Sequence, residues 1–227
     1  MLERIVIDEA VRELRPDVAV LAMTAEGLDN GPSDDRTREW LSEAARTSKA
    51  SEAEADPHLD AWRDAYRAFG SKPQRTRPSV DALLRRVDAL PAINKVVDAY
   101  NAVSVQYVLP VGGEDLDAYQ GAARLVRATG DEPFDTVAGG EAAVDHPDAG
   151  EVVWRDDAGV TCRRWNWRQC VRTRITESTT NALFLLERLV PYPLERLQEA
   201  GDDLAARLRA ISPDVRISSR LIGAAPW

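Results

Sequence analysis

The sequence predicts an α+β fold, a mixed β-sheet layer with flanking helices, on three observations. Two short segments of helical period meet at a proline between Ser79 and Ser104. From Val105 the pattern changes to strand-like runs broken by Gly-Gly pairs. Helical spacing returns in the last fifty residues.

Residues 3–28 read as strand, turn, strand, and residues 18–23 (VAVLAM) form an apolar run of buried-strand length. Gly31-Pro32-Ser33 breaks the chain, with Ser33 as the expected N-cap of a helix over 34–49. Residues 49–56 are small and charged, a surface turn or a weak continuation of that helix. Leu59, Trp62, Tyr66 and Phe69 follow helical spacing, a stripe better suited to core than to a ligand site.

The basic stretch from Gly70 to Pro78 separates an N-terminal αβ segment, 1–70, expected to pack on a main unit, 71–227. The two are read as one compact body. Ser79 is expected to cap a helix with Val80, Leu83, Leu84, Val87 and Leu90 on its apolar face. After Pro91 a second helix places Ile93, Val96, Val97, Tyr100 and Val103 on one face. Strands are expected at 105–110, at 151–154 and 160–162 as a hairpin, and at 170–175, where Val171, Thr173 and Ile175 alternate with Arg172 and Arg174. Residues 179–190 and 193–211 read as helices, and no internal repeat is found.

The 227 residues suffice for a real core, and 44% hydrophobic with 30% charged residues is ordinary for a globular chain. No apolar run approaches the roughly 20 residues that span a bilayer. Residues 1–5 lack the basic start and apolar middle of a signal peptide, so a cytoplasmic protein with no membrane partner is expected. A net charge of −9 argues against coating DNA or RNA nonspecifically. A local basic face remains open: Arg163, Arg164, Arg168, Arg172 and Arg174 fall within twelve residues, a tRNA-binding surface or a solvated strand face. Cys162 and Cys170 read as reduced, half-buried thiols. Asp145-His146-Pro147-Asp148 reads as a turn before it reads as a metal site, and no metal or other cofactor is expected.

The segment Ala92-Ile93-Asn94-Lys95-Val96-Val97-Asp98-Ala99-Tyr100-Asn101-Ala102-Val103-Ser104 carries a resemblance. Its place after a short helix and proline, with Gly139-Gly140-Glu141 and the run 174–181 (RITESTTN) downstream, resembles the B3/B4 editing domain of the bacterial phenylalanyl-tRNA synthetase β subunit. There a similar segment reads RPINNVVDxTNYVxL. The resemblance covers roughly residues 70–190 and implies a B3/B4-like fold. Without other synthetase domains it implies a metal-independent aminoacyl-tRNA hydrolase acting in trans.

Carried over by position, Tyr100 and Asn101 fall where the family has the Thr-Asn pair that lines its pocket. Ser104 closes the same segment and joins Tyr100 in the expected substrate-binding set. Asp117 stands where the family has a histidine at the mouth of the site. Glu177 resembles the glutamate that reads the tyrosine hydroxyl. Glu141 follows two glycines, where backbone can approach a ligand closely. Asn101 is expected to position water, and Asp117 is the sharper candidate for a general base.

A pocket holding Asp117, Glu141 and Glu177 calls for a cation, since buried carboxylates need a partner. Trp154, Trp165 and Trp167 would supply flat walls for it. Free-standing relatives of the domain include deacylases that clear canavanine, an arginine mimic, from arginine tRNA. The expected substrate is therefore a tRNA mischarged with a basic amino acid analogue. Two alternatives stay open: a non-catalytic module that binds tRNA or an amino acid, and a hydrolase of small esters or amides.

Overall fold

The structure is a computed structural model that describes residues 1–48 and 56–223; the expected turn at 49–56 lies, but for its last residue, outside them. The first elements are β1 (Val6–Ile7), α1 (Glu9–Leu14), β2 (Ala19–Glu26), α2 (Asp35–Thr47) and α3 (Pro57–Ala68). Next come α4 (Ser79–Leu84), α5 (Lys95–Tyr107), β3 (Val111–Asp115) and β4 (Arg124–Arg127). A hairpin of β5 (Phe134–Ala138) and β6 (Glu141–Asp145) precedes β7 (Val152–Arg155), β8 (Val160–Arg163) and β9 (Arg168–Gln169). The chain ends with β10 (Asn181–Arg188), α6 (Leu194–Ile211) and β11 (Arg216–Ile222).

Among the described residues the strands form a sheet of order β11-β2-β10-β3, a second of order β1-β4-β7-β8-β9, and the β5-β6 ribbon. The expected α+β class is what the chain adopts. The first sheet is buried on both faces. Leu21, Met23, Phe184 and Leu186 pack against Val96, Val103, Leu197 and Leu204 of α5 and α6. Val20, Ala22, Leu183 and Leu185 face the second sheet and α3, meeting Leu125, Trp154, Trp62 and Tyr66. Residues 1–70 supply β1 to one sheet and β2 to the interior of the other.

That two-sided burial overturns the expected helix at 179–190. A strand covered on both faces reads as a continuous apolar run rather than an alternation, so the sequence ALFLL (182–186) mimics a buried helix. Register with β2 and β3 settles it, Phe184 pairing with Met23 on one side and Gly113 on the other. The expected strand at 105–110 is also replaced. The second helix runs to Tyr107 and stops at Val108, which turns left-handed with φ 53°. Residues 170–175 form turns after β9, with a single bridge from Arg174 to Glu114.

Two expected caps shift by one residue. Asp34, not Ser33, starts α2, because its side chain accepts from Thr37 N at 2.9 Å in a capping box. Pro78 precedes α4, and Ser79 is the first helical residue, its hydroxyl buried without a partner. The hairpin at 151–162 forms as expected, as β7 and β8.

The stripe on α3 is core, as its spacing predicts. Within it, His58 ties three elements together. Its Nδ1 lies 3.1 Å from Val108 O, while Nε2 accepts from Trp62 Nε1 at 2.9 Å and from Leu189 N at 3.3 Å. Two donors on Nε2 fix the proton on Nδ1. Burial holds the imidazole neutral, lowering its pKa to about 4.

Candidate functional site

A cavity of about 280 Å³ opens where the two sheets meet α4 and α5. Two buried carboxylates line it, Glu114 of β3 and Glu187 of β10. Glu114 pairs in register with Leu183, and Glu187 lies four residues further along β10. Side chains alternate along a strand, so both carboxylates project toward the second sheet. Gly113 allows α5 to come close here: a Cβ on it would lie 2.7 Å from Tyr100 Cε1.

Glu187 accepts from Trp154 Nε1 at 2.8 Å, Trp165 Nε1 at 3.1 Å and Asn166 Nδ2 at 2.9 Å. Asn166 is itself held by the Tyr66 hydroxyl at 2.9 Å. Glu114 accepts from Thr173 Oγ1 at 2.8 Å, with Tyr119 and Thr161 also bonded to it. Every one of these donors is neutral. Burial raises each carboxyl to about 7, and the hydrogen bonds only partly oppose it. Near neutral pH the pair therefore still retains protons.

The turn between β8 and β9 builds the opposite wall. Arg164 and Trp165 are both left-handed, φ 45° and 66°, a conformation costing a non-glycine residue about 1–2 kcal/mol. It persists because Arg164 N donates to Glu151 at 2.8 Å and Trp165 N to Val152 O at 2.6 Å. The bend sends the Trp165 indole inward to Glu187 and the Arg164 guanidinium over the Trp167 ring, 4.5 Å from its centre.

Of the residues expected at the site, the fold gathers Tyr100, Asn101, Trp154, Trp165, Trp167 and Arg168 around this cavity. It does not gather the expected acids. Asp117 is exposed and accepts from Asn181 Nδ2 at 2.8 Å. Glu141 is exposed at the start of β6, and Glu177 is exposed in the loop before β10. The Gly139-Gly140 pair serves the hairpin turn, both with positive φ, so its freedom is spent on backbone and not on a ligand. Ser104 is fully buried and donates to Leu109 O at 2.6 Å, closing the end of α5.

The arginine cluster divides. Arg163 is buried in a bidentate pair with Glu151 and a further contact to Asp145. Arg172 clamps Asp156 with two bonds, at 2.8 and 2.9 Å. Both are committed to carboxylates, and the turns after β8 and β9 break the alternation that was expected to set several of the five on one face. Arg168 and Arg174 are exposed, and Arg164 is half-buried.

Sequence reasoning missed Glu114, Glu187 and Asn166. A signal existed for the first two: Glu114 directly follows Gly112-Gly113, and Glu187 interrupts the apolar alternation of Leu183, Leu185 and Leu189. Burial pushes the thiols of Cys162 and Cys170 upward, which leaves both unreactive. Among the described residues no three His, Cys, Asp or Glu side chains converge as metal ligands. No helix among them is long and apolar enough to cross a membrane.

The chain is similar to a solved N-terminal fragment of the phenylalanyl-tRNA synthetase β-subunit from Pyrococcus horikoshii, at 14% identity with a TM-score of 0.47. The match covers 94% of this chain and 49% of that one, so the chain spans about half the length of that fragment. No curated protein matches it. A family model described as B3/4 domain matches residues 61–195, more than half of the sequence. Both carboxylates, the three tryptophans and the strained turn fall inside that span, and the chain belongs to the B3/4 domain family.

Proposed function

We propose that this protein is an aminoacyl-tRNA deacylase that acts in trans on tRNA bearing a basic amino acid analogue, such as canavanine on arginine tRNA. The observation that carries it is the pair Glu114 and Glu187: two buried carboxylates on one cavity wall, each hydrogen-bonded to neutral donors, while the exposed Arg86 and Arg168 line the same cavity without bonding to them. Taking a carboxylate out of water is costly unless a charge answers it. A guanidinium-like side chain is such a charge. The expected acidic pocket is thus retained with different acids. At about 280 Å³ the cavity is near the lower end of ligand sites, about 300–1,000 Å³, which suits one amino acid side chain.

In the reaction, water adds to the ester carbonyl, the bond from that carbon to the ribose oxygen breaks, and the oxygen leaves as a hydroxyl after gaining a proton. Asn101, on the cavity wall beside Tyr100, is the group assigned to hold the water or the carbonyl. Trp154 and Trp165, both bonded to Glu187, flank the side chain. Asp117 has no part in this chemistry, being outside the cavity. The partner is aminoacylated tRNA, and the compartment that supplies it is the cytoplasm.

The test is incubation with a panel of aminoacyl-tRNAs carrying basic, neutral and acidic residues. Release of a basic residue or analogue above the buffer rate is the expected result. Tight retention without release assigns the chain to a non-catalytic binding module. Equal release of all residues removes the role given to the carboxylates.

A further inference from the structure

A second cleft, of about 420 Å³, lies on the outer side of the same strained turn. Its walls are the loop after α3, with Lys72 and Arg75, and the turn residue Arg164. The loop is held in shape. Ser71 N donates to Tyr66 O at 2.9 Å, Arg75 N to Lys72 O at 2.8 Å, and the hydroxyls of Ser71 and Thr76 lie 2.8 Å apart. Lys72 and Arg75 are exposed and have no carboxylate partner among the described residues. On the facing wall, Glu151 is matched by Arg163, and Arg164 lies 4.0 Å from Asp148 and 3.9 Å from Glu151, so Lys72 and Arg75 are the cations left without an acid among the described residues. In a chain of net charge −9, the cleft thus keeps two unanswered cations, Lys72 and Arg75, beside the paired Arg164.

Arg164 joins the two sites. Its guanidinium lines the cleft and covers Trp167, and Trp167 is a wall of the cavity. Cations spaced along a groove beside an aromatic face are what a single-stranded nucleic acid meets in its binding proteins, with phosphates on the cations and a base on the ring. We infer that the cleft of Lys72, Arg75 and Arg164 holds the phosphates of the single-stranded end of the substrate tRNA, with a base on Trp167 and the aminoacyl group in the cavity beyond. This rests on the function proposed above. It adds a site formed by residues outside the cavity and gives the two left-handed residues a purpose, since one bend serves both sites.

The probe is an unacylated single-stranded tetraribonucleotide with a free 3′ end, titrated by fluorescence anisotropy at several salt concentrations. Each cation in contact with phosphate contributes about 0.7 to the slope of log affinity against log salt. The Lys72→Ala/Arg75→Ala double variant should bind at least tenfold more weakly with a slope lower by about 1.4. The same variant should lose activity on aminoacyl-tRNA through KM, yet bind a free basic amino acid amide as wild type does. No oligonucleotide binding by wild type, or unchanged affinity and slope in the variant, overturns the inference. Amide binding is read separately, so loss of the cleft and loss of the cavity's function are distinguishable. Trp167→Leu should weaken the oligonucleotide with its salt slope intact, and an unchanged affinity there removes the base from the ring.

Discussion

Two parts of this molecule bury charge in opposite ways. At the two ends of the β7–β8 hairpin, Arg163 meets Glu151 beside the β8–β9 turn and Arg172 meets Asp156 in the β7–β8 turn, each carboxylate answered by a guanidinium with two hydrogen bonds. Inside the cavity, Glu114 and Glu187 are just as inaccessible, but their neighbours are indoles, hydroxyls and an amide. The consequences are visible in the protons. Asp156 is held below the usual carboxylate range, the arginine and backbone donors outweighing burial, while the cavity pair is raised to about 7. A buried charge that is answered belongs to the architecture. One left without a counter-charge is where the proposed ligand would supply it.

The comparison makes Arg163→Ala the most damaging change. It strands Glu151, and removing one partner of a buried pair costs about 3–5 kcal/mol. Urea denaturation should show a midpoint far below that of wild type. An unchanged midpoint would mean the pair does not hold the turn.

Glu187→Gln and Glu114→Gln should behave in the reverse manner. Stability should hold or rise above pH 7, because an ionisable group without a counter-charge is gone. Affinity for a cationic side chain should drop about thirtyfold or more, as expected when a desolvated charge pair costing about 2–5 kcal/mol is lost. Calorimetry with arginine amide and with an uncharged isostere reads this directly. Equal losses for both ligands would return these carboxylates to a structural role.

The pH dependence of stability sharpens the contrast further. The native protein keeps protons on Glu114 and Glu187 up to about pH 7, where the unfolded chain releases them near 4.5. Their contribution therefore falls as pH rises from about 4.5 to 7 and is flat above. His58 runs the other way. Its imidazole protonates near 6.5 when unfolded and near 4 when folded, so its contribution is lost as pH falls through that window, about 3 kcal/mol in all. The two slopes oppose each other in wild type. In the Glu114→Gln/Glu187→Gln variant the His58 slope should stand alone, with stability rising from pH 4 to 6.5. A flat profile in that variant would show that His58 is not held neutral.

Gly113→Ala should cost about 1–3 kcal/mol, since the new methyl meets the Tyr100 ring at 2.7 Å and Ile175 Cδ1 at 2.9 Å. Thermal unfolding measures the cost, and a neutral substitution would show the β3–α5 contact to be loose.

The same division explains how much was legible. Elements with one buried face announced themselves: the stripe of α3, the α6 repeat and the β7–β8 hairpin follow from period alone. Strand β10 did not, because burial on both faces erases its alternation. The site was half legible. Tyr100 and Asn101 came from the family resemblance and the tryptophans from their flat faces. Glu114 and Glu187 looked like two acids among 38. Only pairing of β3 with β10 shows that they share a cavity, and that pairing joins residues some seventy positions apart. The arginines were misjudged for a related reason, since left-handed residues at 164 and 165 end the alternation that grouped them.

The smallest effects should come from the acids that the sequence alone brought forward. Asp117, Glu141 and Glu177 are exposed, and among the described residues Asp117 has only the Asn181 amide as its side-chain partner. Exposed carboxylates exchange readily with water, so removing one leaves nothing desolvated behind. Asp117→Asn, Glu141→Gln and Glu177→Gln should each change stability by less than about 0.5 kcal/mol. Deacylation of a basic aminoacyl-tRNA should stay within about threefold of wild type, since a loss under 0.7 kcal/mol is about that factor. The informative measurement is kcat/KM for each variant beside Glu114→Gln and Glu187→Gln in one assay. A large loss for Asp117→Asn with the cavity variants unaffected would move the chemistry out of the cavity to the β3–β10 loop end, and burial would no longer separate structural from functional charge in this protein.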